Sequence, residues 1–400
     1  MKVNGFFKDV TGASRVTKAR RKLIESGSSA NTYSDHIREI AQEVHPKVTH
    51  VRVTKVEEVS PTARKFTFVA DEGDVLPPFQ AGQYCSLDLQ IGDTVTTRPY
   101  SICSAPYQAR QGEDSFFELT IRNGKPGVGF ASSWLYENVH VGDKFTAHLP
   151  FGEFHYEPLR DAKHVVALAG GSGITPFYSM AQEIEHGTLD CDLTILYGSV
   201  STKDIILEKH INQIKSDKVR FINVISGEPD YEGEKGFLSR DIIKKYSEGD
   251  PSDGNTSYFV CGPLPMYQFV SGELAALNVP RRRIRMEVFG APRDVTKAEG
   301  YPADFKPQTF KLTVQRGLEE TVIDASSGEP FAVSMERAGI PNNTRCRSGA
   351  CGYCRAKLVS GDVFIPTEGD GRRWADKKYG YVHACSTYPM SDCTIKIIIQ

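Results

Sequence analysis

Four cysteines near the C-terminus carry the clearest chemistry in this sequence. Cys346, Cys351 and Cys354 follow a C-x4-C-x2-C spacing, and Cys385 comes after thirty further residues. Four thiolates so spaced suit a [2Fe–2S] cluster, in which they hold two irons. The residues between them, Ser348, Gly349, Ala350 and Gly352, are small. A tight loop of that kind lets backbone N–H groups approach the sulfurs and stabilise the charge of the reduced cluster. The alternative is a structural zinc ion, whose ligands usually come as paired C-x2-C knuckles on separate turns. Here three ligands share one loop, which favours the cluster. The nine cysteines are an odd number, and the clustering of four reads as ligation rather than disulfides. Cys393, in a closing apolar strand, reads as core.

Three other segments could bind redox cofactors. Arg98-Pro99-Tyr100-Ser101 offers a cation, an aromatic ring and a hydroxyl at i, i+2 and i+3. A flavin needs those types: a charge for its phosphate, a flat cover for its ring and a donor near N5. In a strand, i and i+2 share a face. Alone, the tetrapeptide also suits an ordinary strand. Gly170-Gly171-Ser172-Gly173-Ile174-Thr175-Pro176 follows an apolar run and opens a helical one. Glycines let backbone close on a pyrophosphate, and a helix N-terminus favours its charge. Cys261-Gly262-Pro263-Leu264-Pro265-Met266 follows another apolar run, where a lone Cys more often belongs to the core.

The elements that must position these groups separate by rhythm. Residues 1–47 form a basic leader with one short amphipathic helix, read from Ile37, Ile40, Ala41 and Val44. Residues 48–157 contain short β-branched and aromatic runs punctuated by Gly and Pro, which predict an antiparallel β-barrel or sandwich. Residues 158–292 alternate apolar strands with helices. These include a helix around 204–214 and a strand ending at Cys261 that is the fourth of its series. That alternation predicts an α/β domain with a parallel sheet and a dinucleotide across its strand ends. Residues 293–308 read as a linker, and 309–400 as a small α+β domain holding the cysteine cluster.

Each motif also resembles a known family. The Cys346–Cys354 loop and Ala384-Cys385-Ser386 resemble the plant-type ferredoxin domain, which implies a β-grasp fold; Tyr353 stands where that family has a smaller residue. Arg98–Ser101 resembles the R-x-Y-S motif of the ferredoxin–NADP reductase family. Gln80-Ala81-Gly82-Gln83-Tyr84 resembles its preceding turn, and the 127–135 segment its second flavin motif, with Gly127 and Ser132 at a helix start. The resemblance implies that Arg98 binds phosphate, Tyr100 stacks on the isoalloxazine and Ser101 approaches N5, with FAD favoured over FMN. The segment containing Gly170, Gly171, Gly173, Thr175 and Pro176 resembles the family's G-G-x-G-I-T-P loop. Cys261, Gly262, Pro263 and Met266 resemble its C-G-P-x-x-M motif, with Cys261 beside nicotinamide C4. Glu287 matches an acidic residue near the flavin, its alternative being a surface carboxylate. NADH is favoured over NADPH, because Val200 stands where NADP-dependent relatives place an Arg, although Lys203 follows.

Taken in order, flavin, nicotinamide and ferredoxin segments resemble reductases of the phthalate-dioxygenase-reductase and phenylacetate-oxygenase-reductase types. The expected activity is hydride transfer from NAD(P)H to flavin, then single electrons to the cluster and on to a protein acceptor such as an oxygenase. The alternatives are a redox sensor without turnover, and direct reduction of a small molecule at the flavin. The composition is that of a globular protein, 40% hydrophobic and 24% charged, with a net charge of −2 that gives no case for nucleic-acid binding. No apolar run suits a bilayer span, and the leader lacks a secretory h-region, so a cytoplasmic location is expected.

Overall fold

A computed structural model describes residues 5–27, 35–71, 73–124, 129–292 and 294–397. Two units separate, residues 1–44 and 45–400. The first contains α1 (Phe6–Ser26) and α2 (His36–Val44). The second helix is the amphipathic one read from Ile37 and Ile40, yet none of its residues is buried. The first was not foreseen. Its described side chains are nearly all exposed, so what supports it is a run of Ala, Arg, Lys and Leu with good helix propensity, not a buried stripe.

The larger unit begins with an antiparallel sheet. Its strands are β1 (Thr49–Ser60), β2 (Ala63–Ala70), β3 (Tyr84–Ile91), β4 (Thr94–Ser101), β5 (Phe117–Arg122) and β6 (Lys144–Phe151). They lie in the order β4-β3-β6-β1-β2-β5, and a bridge from Ile102 to Leu119 joins the two edges and closes the barrel. Val51, Val53, Phe66, Phe68, Leu87, Phe117 and Leu119 fill its interior. One helix, α3 (Phe130–Asn138), lies between β5 and β6 and buries Ala131 and Leu135.

A six-stranded sheet follows, all of its pairings parallel. Its strands are β7 (His164–Gly170), β8 (Asp192–Ser199), β9 (Val219–Ile225), β10 (Glu234–Lys235), β11 (Thr256–Cys261) and β12 (Ile284–Glu287), in the order β10-β9-β8-β7-β11-β12. Central strands are apolar along their whole length because both faces are covered. Helices α4 (Thr175–His186), α5 (Glu208–Ile211), α6 (Arg240–Lys245) and α7 (Leu264–Ala276) connect them. The helix expected around 204–214 is instead a 3-10 turn, Thr202–Asp204, followed by the single turn of α5. Leu207, at φ 62°, interrupts any longer helix. Two short edge strands, β10 and β12, escaped the sequence reading, so Cys261 ends the fifth strand and not the fourth.

The segment 294–308 is anchored rather than loose. Val295 is buried, and Tyr301 packs edge-on against Phe364 at 5.1 Å. The last domain contains β13 (Thr309–Arg316), β14 (Glu319–Ser326), β15 (Arg355–Ser360), β16 (Val363–Phe364), β17 (Tyr381–His383), β18 (Tyr388–Pro389) and β19 (Cys393–Ile397). Its sheet runs β14-β13-β19-β15-β17, with β13 and β19 parallel, as a β-grasp requires. Phe331, Ala332 and Met335 of α8 (Phe331–Arg337) pack on it, and α9 (Trp374–Lys378) precedes β17. Cys393 is core, as expected.

Candidate functional site

The Gly-rich turn and the turn after β11 come together because β7 and β11 are paired neighbours, with Ala169 opposite Cys261. A Cβ on Gly173 would overlap the Cys261 carbonyl and lie 2.7 Å from the nitrogen of Gly262. One on Gly170 would lie 2.5 Å from the Met266 sulfur, and one on Gly262 2.6 Å from the same atom. Backbone contact between the two motifs therefore requires glycine at 173, whereas at 170 and 262 the obstacle is the Met266 side chain. Gly171 adopts φ 54°, and its missing Cβ leaves room for the Arg122 guanidinium, 2.9 Å from where that atom would be. Thr175 uses its hydroxyl on the Ser172 carbonyl at 2.9 Å, which holds the turn closed; Pro176 occupies the first turn of α4. Pro263 caps α7 from outside.

Ser101, Glu287 and Cys261 converge. Ser101 ends β4 and donates to a Glu287 carboxylate oxygen at 3.0 Å. Glu287 ends β12 and stands opposite Cys261 in register. Burial raises the Glu287 carboxyl to about 8, with the Ser101 hydrogen bond pulling the other way. Burial, reinforced by Glu287, likewise holds the Cys261 thiol far above its ordinary range, so it stays protonated. The surface-carboxylate alternative for Glu287 is excluded by its burial.

Pro99 pairs with Ser86 across β3 and β4, Tyr100 with Cys85 and Ser101 with Tyr84. The Tyr100 hydroxyl lies 3.3 Å from that of Ser132 in the first turn of α3, which begins after Gly129 at φ 83°. Gly127 lies outside the described residues. Arg98 is largely buried and pairs with Glu336 at 3.6 Å.

The four cluster cysteines also converge. The Cys346 thiol interacts with those of Cys351 and Cys385, and Cys354 with Cys385. Hydrogen bonds from Cys351 first, then Cys385, hold the Cys346 thiol far below its ordinary range. Backbone N–H groups of Ser348 and Cys351 point at Cys346 Sγ, at 3.5 and 3.4 Å, and that of Gly349 at Cys385 Sγ, at 3.2 Å. Among the described residues, no three His, Cys, Asp or Glu side chains are grouped so that they could hold one metal ion. The sulfurs instead form two linked pairs, and a two-iron cluster suits that set, with amide donors already aimed at its ligands.

Several residues in these sites were not read from the sequence. Tyr84 lies beside Ser101 in register and within electrostatic reach of Cys346 and Cys351, which join burial in raising its phenol. Its ring lies 5.8 Å from that of Phe151, which in turn packs against Tyr353 of the cysteine loop. Tyr267 donates to the Glu287 carbonyl and accepts from the Gly262 N–H at 3.1 Å, tying the two strand ends together. Arg122 and Glu336 were likewise missed, since neither belongs to a motif and only folding brings them in. Tyr353 packs edge-on against Phe151 of the barrel at 5.2 Å, with Arg345 over its ring.

Comparison with known proteins agrees with this arrangement. Residues 50–156 match the oxidoreductase FAD-binding domain, 167–272 the oxidoreductase NAD-binding domain and 315–390 the 2Fe-2S iron-sulfur cluster binding domain. A glycine betaine monooxygenase reductase subunit from Chromohalobacter salexigens is 27% identical, over 87% of this chain and 95% of its own. The 3-ketosteroid-9-alpha-monooxygenase ferredoxin reductase component of Mycobacterium tuberculosis is also 27% identical, over 86% and 94%. In fold the chain is similar to phthalate dioxygenase reductase, with TM-score 0.61 and 20% identity, over 88% of this chain and 98% of that one. In order along the chain, then, stand an oxidoreductase FAD-binding domain, an oxidoreductase NAD-binding domain and a 2Fe-2S iron-sulfur cluster binding domain, and the chain is similar over most of its length to monooxygenase reductase subunits.

Proposed function

We propose that this chain takes hydride from NADH and delivers single electrons to a partner oxygenase component, through FAD and its own [2Fe–2S] cluster. The observation that carries this reading is the position of Tyr84, with Ser101 paired beside it and its ring 5.8 Å from that of Phe151, which packs at 5.2 Å on Tyr353 of the cysteine loop. A flavin bound at Ser101 is then a near neighbour of the cluster. Bound flavin supplies the change from paired to single electrons, which neither a nicotinamide nor a [2Fe–2S] cluster can make alone.

The chain's own residues bind, orient and exclude water. Arg98, with Tyr100 and Ser132 at the start of α3, forms the flavin cradle. Ser101 would border the flavin with its hydroxyl turned to Glu287, which holds a proton there. Gly170 and Gly173 let the loop pack on the Cys261–Met266 turn, so that a pyrophosphate would be met by the N-terminus of α4, and Arg122 reaches the same loop from the barrel. Cys261 and Gly262 would form the floor beneath a bound nicotinamide. Buried Tyr84, packed edge-on against Phe289 at 5.1 Å, screens this centre from solvent. Alignment of donor and acceptor rings is the protein's main contribution to rate.

NADH is preferred because Glu228, in the loop after β9, binds the turn after β8. Glu228 accepts from the Ser201 hydroxyl at 2.6 Å and the Thr202 N–H at 2.8 Å, so a carboxylate stands where a 2′-phosphate would need a cation. The oxygenase partner follows from relatives named as monooxygenase reductases. Among the described residues, no helix is long and apolar enough to cross a membrane, and a cytoplasmic location accords with the reduced cysteines. The domain limits are those of the sequence reading: 48–157, 158–292 and 309–400.

Anaerobic titration tests the function. NADH should bleach the flavin absorbance and produce the EPR signal of a reduced [2Fe–2S] cluster, at far lower concentration than NADPH. A flavin that is reduced while the cluster stays oxidised would sink the reading.

A further inference from the structure

Two guanidiniums and one carboxylate lie buried together where the iron–sulfur domain meets the barrel. Glu336, on α8, has a side chain only 3% exposed. It binds Arg347 through both carboxylate oxygens, one of them at 3.1 Å, and pairs with Arg98 at 3.6 Å. Arg347 follows the first cluster cysteine and also donates to the Thr97 carbonyl on β4 at 3.4 Å. The triad thus joins α8, the cluster loop and the strand that carries the R-x-Y-S residues.

Its charges do not balance. One carboxylate faces two guanidiniums, leaving a surplus of one positive charge in a partly desolvated place. Burial and repulsion from Arg347 lower Arg98 to about 10, while Glu336 pulls it back up. A buried surplus charge is costly unless an anion meets it. Arg98 is also the residue read as the flavin-phosphate cation.

We propose that the iron–sulfur domain completes the flavin-phosphate site: Glu336 holds Arg347 beside Arg98, and the surplus positive charge of the triad is balanced by the phosphate. This rests on the assignment of Arg98 to the phosphate. Flavin occupancy and seating of the cluster loop on β4 are then thermodynamically linked, each favouring the other. Glu336 is a positioning residue that tempers the site, because its own charge competes with the phosphate for both guanidiniums.

Flavin binding to the full chain, stripped of flavin and followed by fluorescence quenching, tests this with variants of opposite sign. Arg347→Gln should weaken flavin binding roughly three- to tenfold, and Glu336→Gln should tighten it by a similar factor, as expected for one charge a few ångströms away in a partly buried site. Arg347→Lys, which keeps the charge, should restore most of the affinity. Damage to folding would weaken binding in both glutamine variants, so equal losses, or no change in either, would overturn the proposal. Should Glu336→Gln not fold, Glu336→Asp keeps the charge and must leave affinity within about twofold of the parent; a larger loss would count against the proposal. Arg98→Ala separates the two ideas: if it leaves flavin affinity intact, the phosphate assignment itself has failed.

Discussion

Ser101 and Glu287 lie 186 positions apart in the chain and meet at 3.0 Å, the hydroxyl donating to the carboxylate. The contact joins the end of a barrel strand to the end of an edge strand in the parallel sheet. It gives the reacting centre a proton-holding group drawn from both domains.

That pair predicts a pH dependence. Burial raises Glu287 from an ordinary 4.5 to about 8, so the neutral form persists at neutral pH. As pH rises through about 8 the carboxyl ionises, and its charge opposes the negative charge gained on flavin reduction. Stopped-flow reduction by NADH should slow across that range, and Glu287→Gln should flatten the profile. Stability carries a matching sign. A carboxyl whose folded value is raised contributes most below about 4.5 and loses that contribution as pH climbs to about 8. The melting temperature of the parent should therefore fall relative to that of Glu287→Gln across this interval, and a relative rise would contradict the assignment.

Gly173→Ala places a methyl group on the Cys261 carbonyl. Forced overlap of this kind costs about 1–3 kcal/mol of stability. Displacing the nicotinamide floor by even a fraction of an ångström should cut the hydride-transfer rate by up to about a hundredfold. Flavin content should be unaffected, which absorbance ratios will check.

Arg122→Ala removes a guanidinium 2.9 Å from the Cβ position of Gly171. A hydrogen bond to a charged group contributes about 1.5–3 kcal/mol, so KM for NADH should rise at least tenfold. Because the contact is equal in ground and transition states, kcat should change little. A fall in kcat at constant KM would place Arg122 elsewhere in the mechanism.

Cys351→Ala removes one of the four proposed cluster ligands. The [2Fe–2S] EPR signal and electron delivery to a protein acceptor should be lost, while NADH still bleaches the flavin. Undiminished turnover with the physiological acceptor would favour direct reduction at the flavin.

Much of this molecule is legible in its sequence. The cysteine spacing, the Gly-rich turn and the R-x-Y-S strand are local patterns, in which a few consecutive residues satisfy one cofactor group. The order of β-rich, alternating and small α+β segments was legible for the same reason, since strand and helix periods are short-range. The helix expected at 204–214 failed because Asp204 is drawn to Ser60, Thr62 and Arg122 across the domain boundary, at 2.7, 2.8 and 2.7 Å. Edge strand β12 was missed because four residues carry too little pattern to declare a strand.

Tertiary structure alone decided which charges meet. Glu336 and Arg98 are ordinary residues of a helix and a strand until the iron–sulfur domain docks, and Tyr84 is an ordinary strand tyrosine until the cluster loop arrives beside it. Desolvation and electrostatic partnership depend on distance in space, which a sequence carries only where the partners are close along the chain.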